Sequence, residues 1–260
     1  WSVSPMKVVA VIPAHLASVR FPQKILFDIH GLPMIEHVRR RALLSKELDD
    51  VIVATCDVEI ADAIKSYGGK VIMTSDTHKN GTSRVAEAMQ DYDCTHVLLL
   101  QGDEPLLLSR HIDTIIEAMK SNPDVESWNA TGDINSEDEL NRNSFVKCSV
   151  LKDNSILNCF RKTPYVSKIG VQKTFVRKIL GIIAYRKDFL LKLNQLNSTP
   201  IEVAEFIEQM RIIENKFPLY SVAVSPSLPS INEPHESEIV LEYLENNVEQ
   251  KKILAKILIN

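Results

Sequence analysis

No apolar run in the 260-residue chain approaches the roughly 20 residues that a membrane-spanning helix needs, so a helical membrane protein is excluded and no membrane partner is expected. No signal-peptide pattern is visible, and the expected location is the cytoplasm. Four cysteines, Cys56, Cys94, Cys148 and Cys159, are scattered without a CxxC pair or Cys/His spacing. They read as free buried thiols in a reducing compartment rather than as a zinc site or a disulfide framework. Acidic and basic residues nearly balance, at 34 and 30. A net charge of −4 argues against a nucleic-acid-binding surface. There is no internal repeat and no low-complexity segment. Neither the P-loop pattern nor GxGxxG occurs, so a nucleotide would have to be held in some other way.

What is present is ordinary in bulk, with 45% hydrophobic and 25% charged residues, as in a soluble globular protein that can bury a full core. Through the first half, β-branched runs alternate with helical periodicity. Lys7 to Ile12, Val51 to Thr55, Lys70 to Met73 and Thr95 to Leu100 read as strands. Between and after them come helices from Pro33 to Ser45, from a capping Asp57 to Tyr67 with Gly68-Gly69 as its stop, from the end of the polar loop Thr74 to Thr82 to Asp91, and from a capping Ser109 to Met119. This alternation predicts an α/β fold with a mostly parallel, doubly wound sheet.

The second half changes style. Val146 to Leu151 and Ser155 to Cys159 suggest a hairpin around Lys152-Asp153-Asn154, and Lys178 to Tyr185 and Leu219 to Val224 read as further strands. Thr199-Pro200 opens a helix expected to run to Asn215, with Glu202, Glu205 and Glu208 three residues apart on one flank. Glu236 to the C-terminus reads as helical. No composition shift marks a boundary. The expectation is one domain over residues 6–260 with an inserted β-rich region at 145–186, and Trp1 to Pro5 lying outside the fold as a remnant.

Two segments carry candidate chemistry. Leu98-Leu99-Leu100-Gln101-Gly102-Asp103-Glu104-Pro105-Leu106 is a buried strand that ends in a glycine and two carboxylates. Open α/β sheets place their ligands past the carboxyl ends of strands, where a carboxylate can hold a hard cation such as Mg²⁺. The alternative is a polar turn with a solvated acid pair. The loop after the first strand, VIPAHLASVRFPQK (residues 11–24), brings Arg20 and Lys24 to the same edge, with Ser18 as a hydroxyl donor and backbone amides able to form an anion nest. That combination suits a triphosphate; the alternative is a surface loop that happens to be basic.

Seven segments, in order, resemble one family. PAHLASVRFPQK is similar to the PARxxSxRxPxK signature of the cytidylyltransferases that activate 3-deoxy-octulosonic acid (Kdo) as its CMP sugar. QGDEPL resembles that family's metal-binding strand end, and THKNGTSR (77–84) its HxSGTxR segment. NCFRKTPY (158–165), GIIAYR (181–186), TPIEVAEFIEQMR (199–211) and SINEPHE (230–236) resemble its SRxxIPY, GIYAYR, SPLExxExLEQLR and VDTPED segments.

The resemblance implies CMP transfer from CTP to the anomeric hydroxyl of a 3-deoxy-2-ulosonic acid, for lipopolysaccharide or capsule biosynthesis, by a homodimer. It implies phosphate and nucleotide contacts from Ala14, His15, Ser18, Arg20, Lys24, Gly81, Thr82 and Arg84, with Arg20, Lys24 and Asp103 as catalytic residues. Gln101, Arg161, Tyr185, Glu208 and Gln209 would serve the sugar acid, and Asp103 and Asn232 the Mg²⁺. Three positions depart from the family pattern. His15 replaces an Arg, Ile179 a His, and Asn232 the second metal-binding Asp. These departures leave open an amino-substituted Kdo, a nonulosonic acid, or a subunit that binds CTP or a CMP sugar without turnover.

Overall fold

The computed structural model of the protein describes residues 5–18 and 20–259, so most of the expected N-terminal remnant lies outside the described residues. The chain divides into two compact units, one running to Asp113 and resuming at Leu228, the other Thr114–Ser227.

The first unit holds β1 (Val8–Ala14), β2 (Asp28–Ile29), β3 (Leu32–Pro33), β4 (Asp50–Thr55), β5 (Lys70–Met73) and β6 (His96–Leu100). Helices α1 (Met34–Ala42), α2 (Val58–Ser66) and α3 (Gly81–Met89) make the crossovers between the longer strands, and α4 (Ser109–Ser121) follows β6. β5, β4, β1 and β6 are neighbours in that order and all run parallel, as the alternation predicts. Such strands must be apolar on both faces: Val8 to Ile12 and Val97 to Leu100 are at most 1% exposed. The chain winds from β1 outward to β5 and then returns to place β6 on the other side of β1. The carboxyl ends of β1 and β6 therefore flank a topological switch point. β1 pairs with β6 only as far as Val11↔Leu99, so Pro13, which has no N–H to donate, lies beyond the last rung on that side.

Glycine acts as expected at the end of α2. Gly68 takes φ +79°, and the N–H groups of Gly68 and Gly69 bond the carbonyls of Lys65 and Ile64, a Schellman closure. Asp57 stands at the N-cap position, yet its side chain makes no capping bond there. A second apolar cluster gathers Ile29, Met34, Leu106 and Ile231 with Val240, Leu244, Leu254 and Ile257 of two C-terminal helices, Ser237–Asn246 and Val248–Leu258. The single C-terminal helix expected from the sequence is thus two. Asn247 ends the first, then caps the second by accepting the Gln250 N–H at 3.0 Å. Phe21 and Phe27 pack on this cluster edge to face, pinning the segment between them.

The second unit contains β7 (Ser127–Gly132), β8 (Lys147–Val150), β9 (Ile156–Phe160), β10 (Val176–Arg186) and β11 (Tyr220–Ala223). β8 and β9 form the expected hairpin, with Asn154 at φ +69° in its turn. β10 pairs antiparallel with β7 and β8, and β11 lies parallel to β7. β7 is not among the strands read from the sequence. Its residues alternate polar and apolar (Ser127-Trp128-Asn129-Ala130-Thr131), yet Ser127, Asn129 and Thr131 are wholly buried, so the polar face meets protein and not solvent.

The helix expected from Thr199 to Asn215 is broken. Pro200–Glu205 starts with a capping box between Thr199 and Glu202, but Phe206 takes a left-handed φ of +56° before a second helix, Gln209–Glu214. Glu202, Glu205 and Glu208 therefore do not share one flank. Glu202 is buried against Arg211 in a two-pronged ion pair of 3.0 and 2.8 Å. The break is held from a distance. Arg161 donates to the carbonyls of Glu205 (2.6 Å) and Phe206 (2.9 Å).

Candidate active site

The segments picked from the sequence converge at the switch point. Pro13, Ala14, His15, Ala17, Ser18, Arg20, Lys24, Ile25, Gln101, Gly102 and Asp103 line one pocket of about 300 Å³. Two glycines permit the close approach of the elements around it. A Cβ on Gly102 would meet Ile25 Cδ1 at 2.8 Å, and one on Gly81 would meet Pro13 Cγ at 3.0 Å. Residues 24–26 form a short 3₁₀ turn after Gln23 at φ +55°, which brings Lys24 over the end of β6. There Lys24 Nζ donates to Asp103 Oδ2 at 3.2 Å, with both side chains less than a quarter exposed. Arg20 reaches Glu233 at 3.8 Å from a solvent-facing position.

Asp103 is tied to the segment that follows the second unit. Its carbonyl accepts the Ile231 N–H at 2.9 Å, which sets Asn232 next to the strand end. Asn232 Nδ2 donates to Ser230 Oγ at 3.0 Å. Glu233, His235 and Glu236 are the one group of three potential metal ligands that cluster among the described residues. Glu236 Oε1 already accepts the N–H groups of Asn232 and Glu233, so this acidic group is a turn lock rather than a metal centre.

Gly81, Thr82 and Arg84 lie on the first turn of α3, against Pro13. Arg84 is buried and holds the polar loop by donating to Thr74 Oγ1 (2.7 Å) and the Ser75 carbonyl (3.1 Å). The buried Thr82 hydroxyl has no hydrogen-bond partner among the described residues. Burial holds the His15 pKa below its ordinary value of 6.5; the positive charges of Arg84 and Lys24 add to this, and Asp57 opposes it. His15 therefore contributes no full charge at neutral pH in the ligand-free protein.

The residues assigned to the sugar acid by resemblance, other than Gln101, fall in the second unit. Tyr185 is a buried residue of β10, and Glu208 stands at the N-cap position of Gln209–Glu214. Gln209 donates to Asn129 Oδ1 at 3.0 Å. Arg161 is committed to backbone carbonyls, since beyond Glu205 and Phe206 it also reaches Asn143. Sequence reasoning misses two hydrogen-bond acceptors that hold these segments, Asn129 for Gln209 and Asp57 for the Leu16 N–H. Asn129 carries no motif. Asp57 reads as a helix cap, although its place just past a parallel strand is the same signal that exposes Asp103. None of the four cysteines is in a disulfide; Cys148 and Cys159 are buried, and burial pushes both thiols well above their ordinary pKa, which makes them unreactive.

A parallel α/β sheet with Arg20, Lys24 and Asp103 lining one pocket at its switch point is an arrangement suited to an anionic ligand held beside an acid. Comparison with known proteins makes the class specific. A family model described as cytidylyltransferase matches residues 9–221, and the chain belongs to the cytidylyltransferase family. A 3-deoxy-manno-octulosonate cytidylyltransferase from Fusobacterium nucleatum is 36% identical over 248 residues, covering 94% of this chain and 99% of that protein. Its counterpart from Geobacter metallireducens is 33% identical over 250 residues, covering 92% and 98%. A solved structure of CMP:2-keto-3-deoxy-manno-octonic acid synthetase complexed with CTP superposes with a TM-score of 0.87 at 34% identity, covering 93% of this chain and all of that one.

Proposed function

We propose that the protein transfers CMP from CTP to the anomeric hydroxyl of 3-deoxy-manno-octulosonate. The observation that carries this reading is the switch-point pocket, where Lys24, Arg20 and Asp103 converge in a chain that aligns nearly end to end with enzymes of that name. The anomeric oxygen bonds to the α-phosphorus, the bond from that phosphorus to the β-phosphate bridge breaks, pyrophosphate leaves, and the hydroxyl proton passes to solvent. Such a reaction asks the protein chiefly for position and charge. Lys24 and Arg20 neutralise the charge that builds on the pyrophosphate, and to do so they exchange Asp103 and Glu233 for phosphate oxygens. The buried Thr82 hydroxyl, which has no partner among the described residues, supports a nucleotide contact on α3.

The donor set fits a hard cation shared with the nucleotide. Asp103 offers one carboxylate and the adjacent Asn232 an amide oxygen, with phosphate oxygens left to complete the shell. When Mg²⁺ is bound there, it supplies polarisation of the α-phosphate. A homodimer through the region 145–186 is part of the proposal. Leu151, Leu157, Val166 and Val171 expose apolar surface there, and a monodisperse monomer in light scattering would contradict the assembly.

The deciding experiment is pyrophosphate release from CTP and Mg²⁺ with 3-deoxy-manno-octulosonate, its amino-substituted analogue and a nonulosonic acid offered in parallel. Release with the first supports the reading. CTP binding without release from any acceptor would make the protein a binder and not an enzyme.

A further inference from the structure

We infer that Asp57 is a positioning residue for the triphosphate loop, holding the Leu16 peptide in place at the expense of capping α2. The inference rests on the reading that the switch-point pocket takes the triphosphate of CTP. The register of the sheet explains the contact. β1 and β4 pair in parallel with Ala14 opposite Thr55, so continuing both chains by two residues brings Leu16 alongside Asp57. There Asp57 Oδ2 accepts the Leu16 N–H at 2.8 Å. Bonds from a backbone N–H to a carboxylate are among the stronger ones in proteins.

Three further observations separate this from a helix cap. Asp57 occupies the N-cap position of α2 with the extended backbone such residues adopt, yet its carboxylate bonds no amide of that helix. Its own N–H is fixed to the buried Thr55 hydroxyl at 3.1 Å, which anchors the backbone that carries the carboxylate. The far end of the Leu16 residue is held as well, because its carbonyl accepts the Ser18 N–H at 2.9 Å. The loop is thus clamped on both sides of Leu16, between two residues that line the pocket, His15 and Ala17.

A negative charge beside a phosphate pocket works against anion binding through space. The gain from Asp57 therefore comes from position, and an uncharged acceptor of the same shape serves equally well. That separates the variants. Asp57→Ala should raise KM for CTP about tenfold, the size expected for the loss of one backbone hydrogen bond, charged or not. KM for the sugar acid should be unchanged and Tm close to wild type, since α2 loses no cap. Asp57→Asn should restore KM for CTP to the wild-type value or below.

Hydrogen exchange at the Leu16 amide of the ligand-free protein should accelerate in Asp57→Ala and not in Asp57→Asn. That readout needs no turnover, so it reports on the clamp even if the wild type proves not to use CTP, in which case the proposed function falls separately. Unchanged Leu16 exchange in Asp57→Ala overturns the clamp. Accelerated exchange with an unchanged KM for CTP overturns its role in nucleotide binding. An Asp57→Asn variant as impaired as Asp57→Ala overturns the positional argument, and a lowered Tm with unchanged KM marks a purely structural residue.

Discussion

Replacing Lys24 with methionine keeps the apolar stem and removes the ammonium seated on Asp103. At 3.2 Å and an effective dielectric of about 20, the Lys24–Asp103 attraction is about 5 kcal/mol before desolvation and side-chain entropy are subtracted. Both groups retain some solvent contact, so the net contribution to folding is about 1 kcal/mol or less, and Tm should move by no more than about 4 °C. The effect on catalysis is larger. In the pocket Lys24 opposes charge that develops on the leaving pyrophosphate, and one preorganised partner of that kind contributes about 3 kcal/mol. Its loss also leaves the Asp103 carboxylate unscreened beside the triphosphate. kcat/KM for CTP should therefore fall by about two orders of magnitude in a pyrophosphate-release assay, with circular dichroism unchanged. A Lys24→Met enzyme that keeps more than about a tenth of wild-type kcat/KM has lost no more than about 1.4 kcal/mol, and the assignment of Lys24 to the transition state would be wrong.

Three other perturbations follow from the same geometry. Asn232→Asp adds a charged oxygen beside Asp103 and should lower the Mg²⁺ concentration needed for half-maximal activity; an unchanged or higher requirement would remove residue 232 from the metal shell. Because burial and the neighbouring cations keep His15 neutral below its ordinary value of 6.5, while a bound triphosphate draws a proton onto it, KM for CTP should fall as pH drops below 6.5. In His15→Arg that dependence should vanish apart from the nucleotide's own titration, and superimposable profiles would discard the idea. The fully buried His37 has its pKa pushed down to about 4 by burial, so between pH 6.5 and 4 the unfolded chain takes up a proton that the folded one does not. Stability should fall by up to about 3 kcal/mol across that window. Urea titrations should show a shallower pH slope for His37→Gln, and equal slopes would sink the assignment.

The elements legible from sequence are those whose cause is local. Val8 to Ile12 and Leu98 to Leu100 read as buried strands because a parallel sheet needs apolar residues on both faces. Gly68 marks a helix end because its φ of +79° favours a residue without a Cβ. The hairpin at Lys152-Asp153-Asn154 is visible because turn residues separate two apolar runs. The amino-acid order alone brings Arg20, Lys24 and Asp103 to one place, since loops leaving parallel strands at their carboxyl ends share an edge of the sheet.

Only the tertiary structure decided the rest, because the deciding partners lie far apart along the chain. The helical period of residues 199–215 is real, but Arg161 captures the carbonyls of Glu205 and Phe206 and so breaks the helix from a distance of more than forty positions. β7 alternates polar and apolar residues, but its polar face is as buried as its apolar one, and only the fold matches that face with Gln209, Ser221 and the Pro218 carbonyl. Asp57 looks like a cap to any local rule, and becomes an anchor for Leu16 only once β1 and β4 are in register. Asn232 follows directly on the residue that meets Asp103, because the Ile231 N–H bonds a carbonyl 128 residues earlier in the chain. Local sequence determines which segments become strands and helices, through backbone preference and the period of apolar residues. Which polar group meets which depends on the packing of the folded chain, because each such bond is set by the register and close approach of elements that no local pattern encodes.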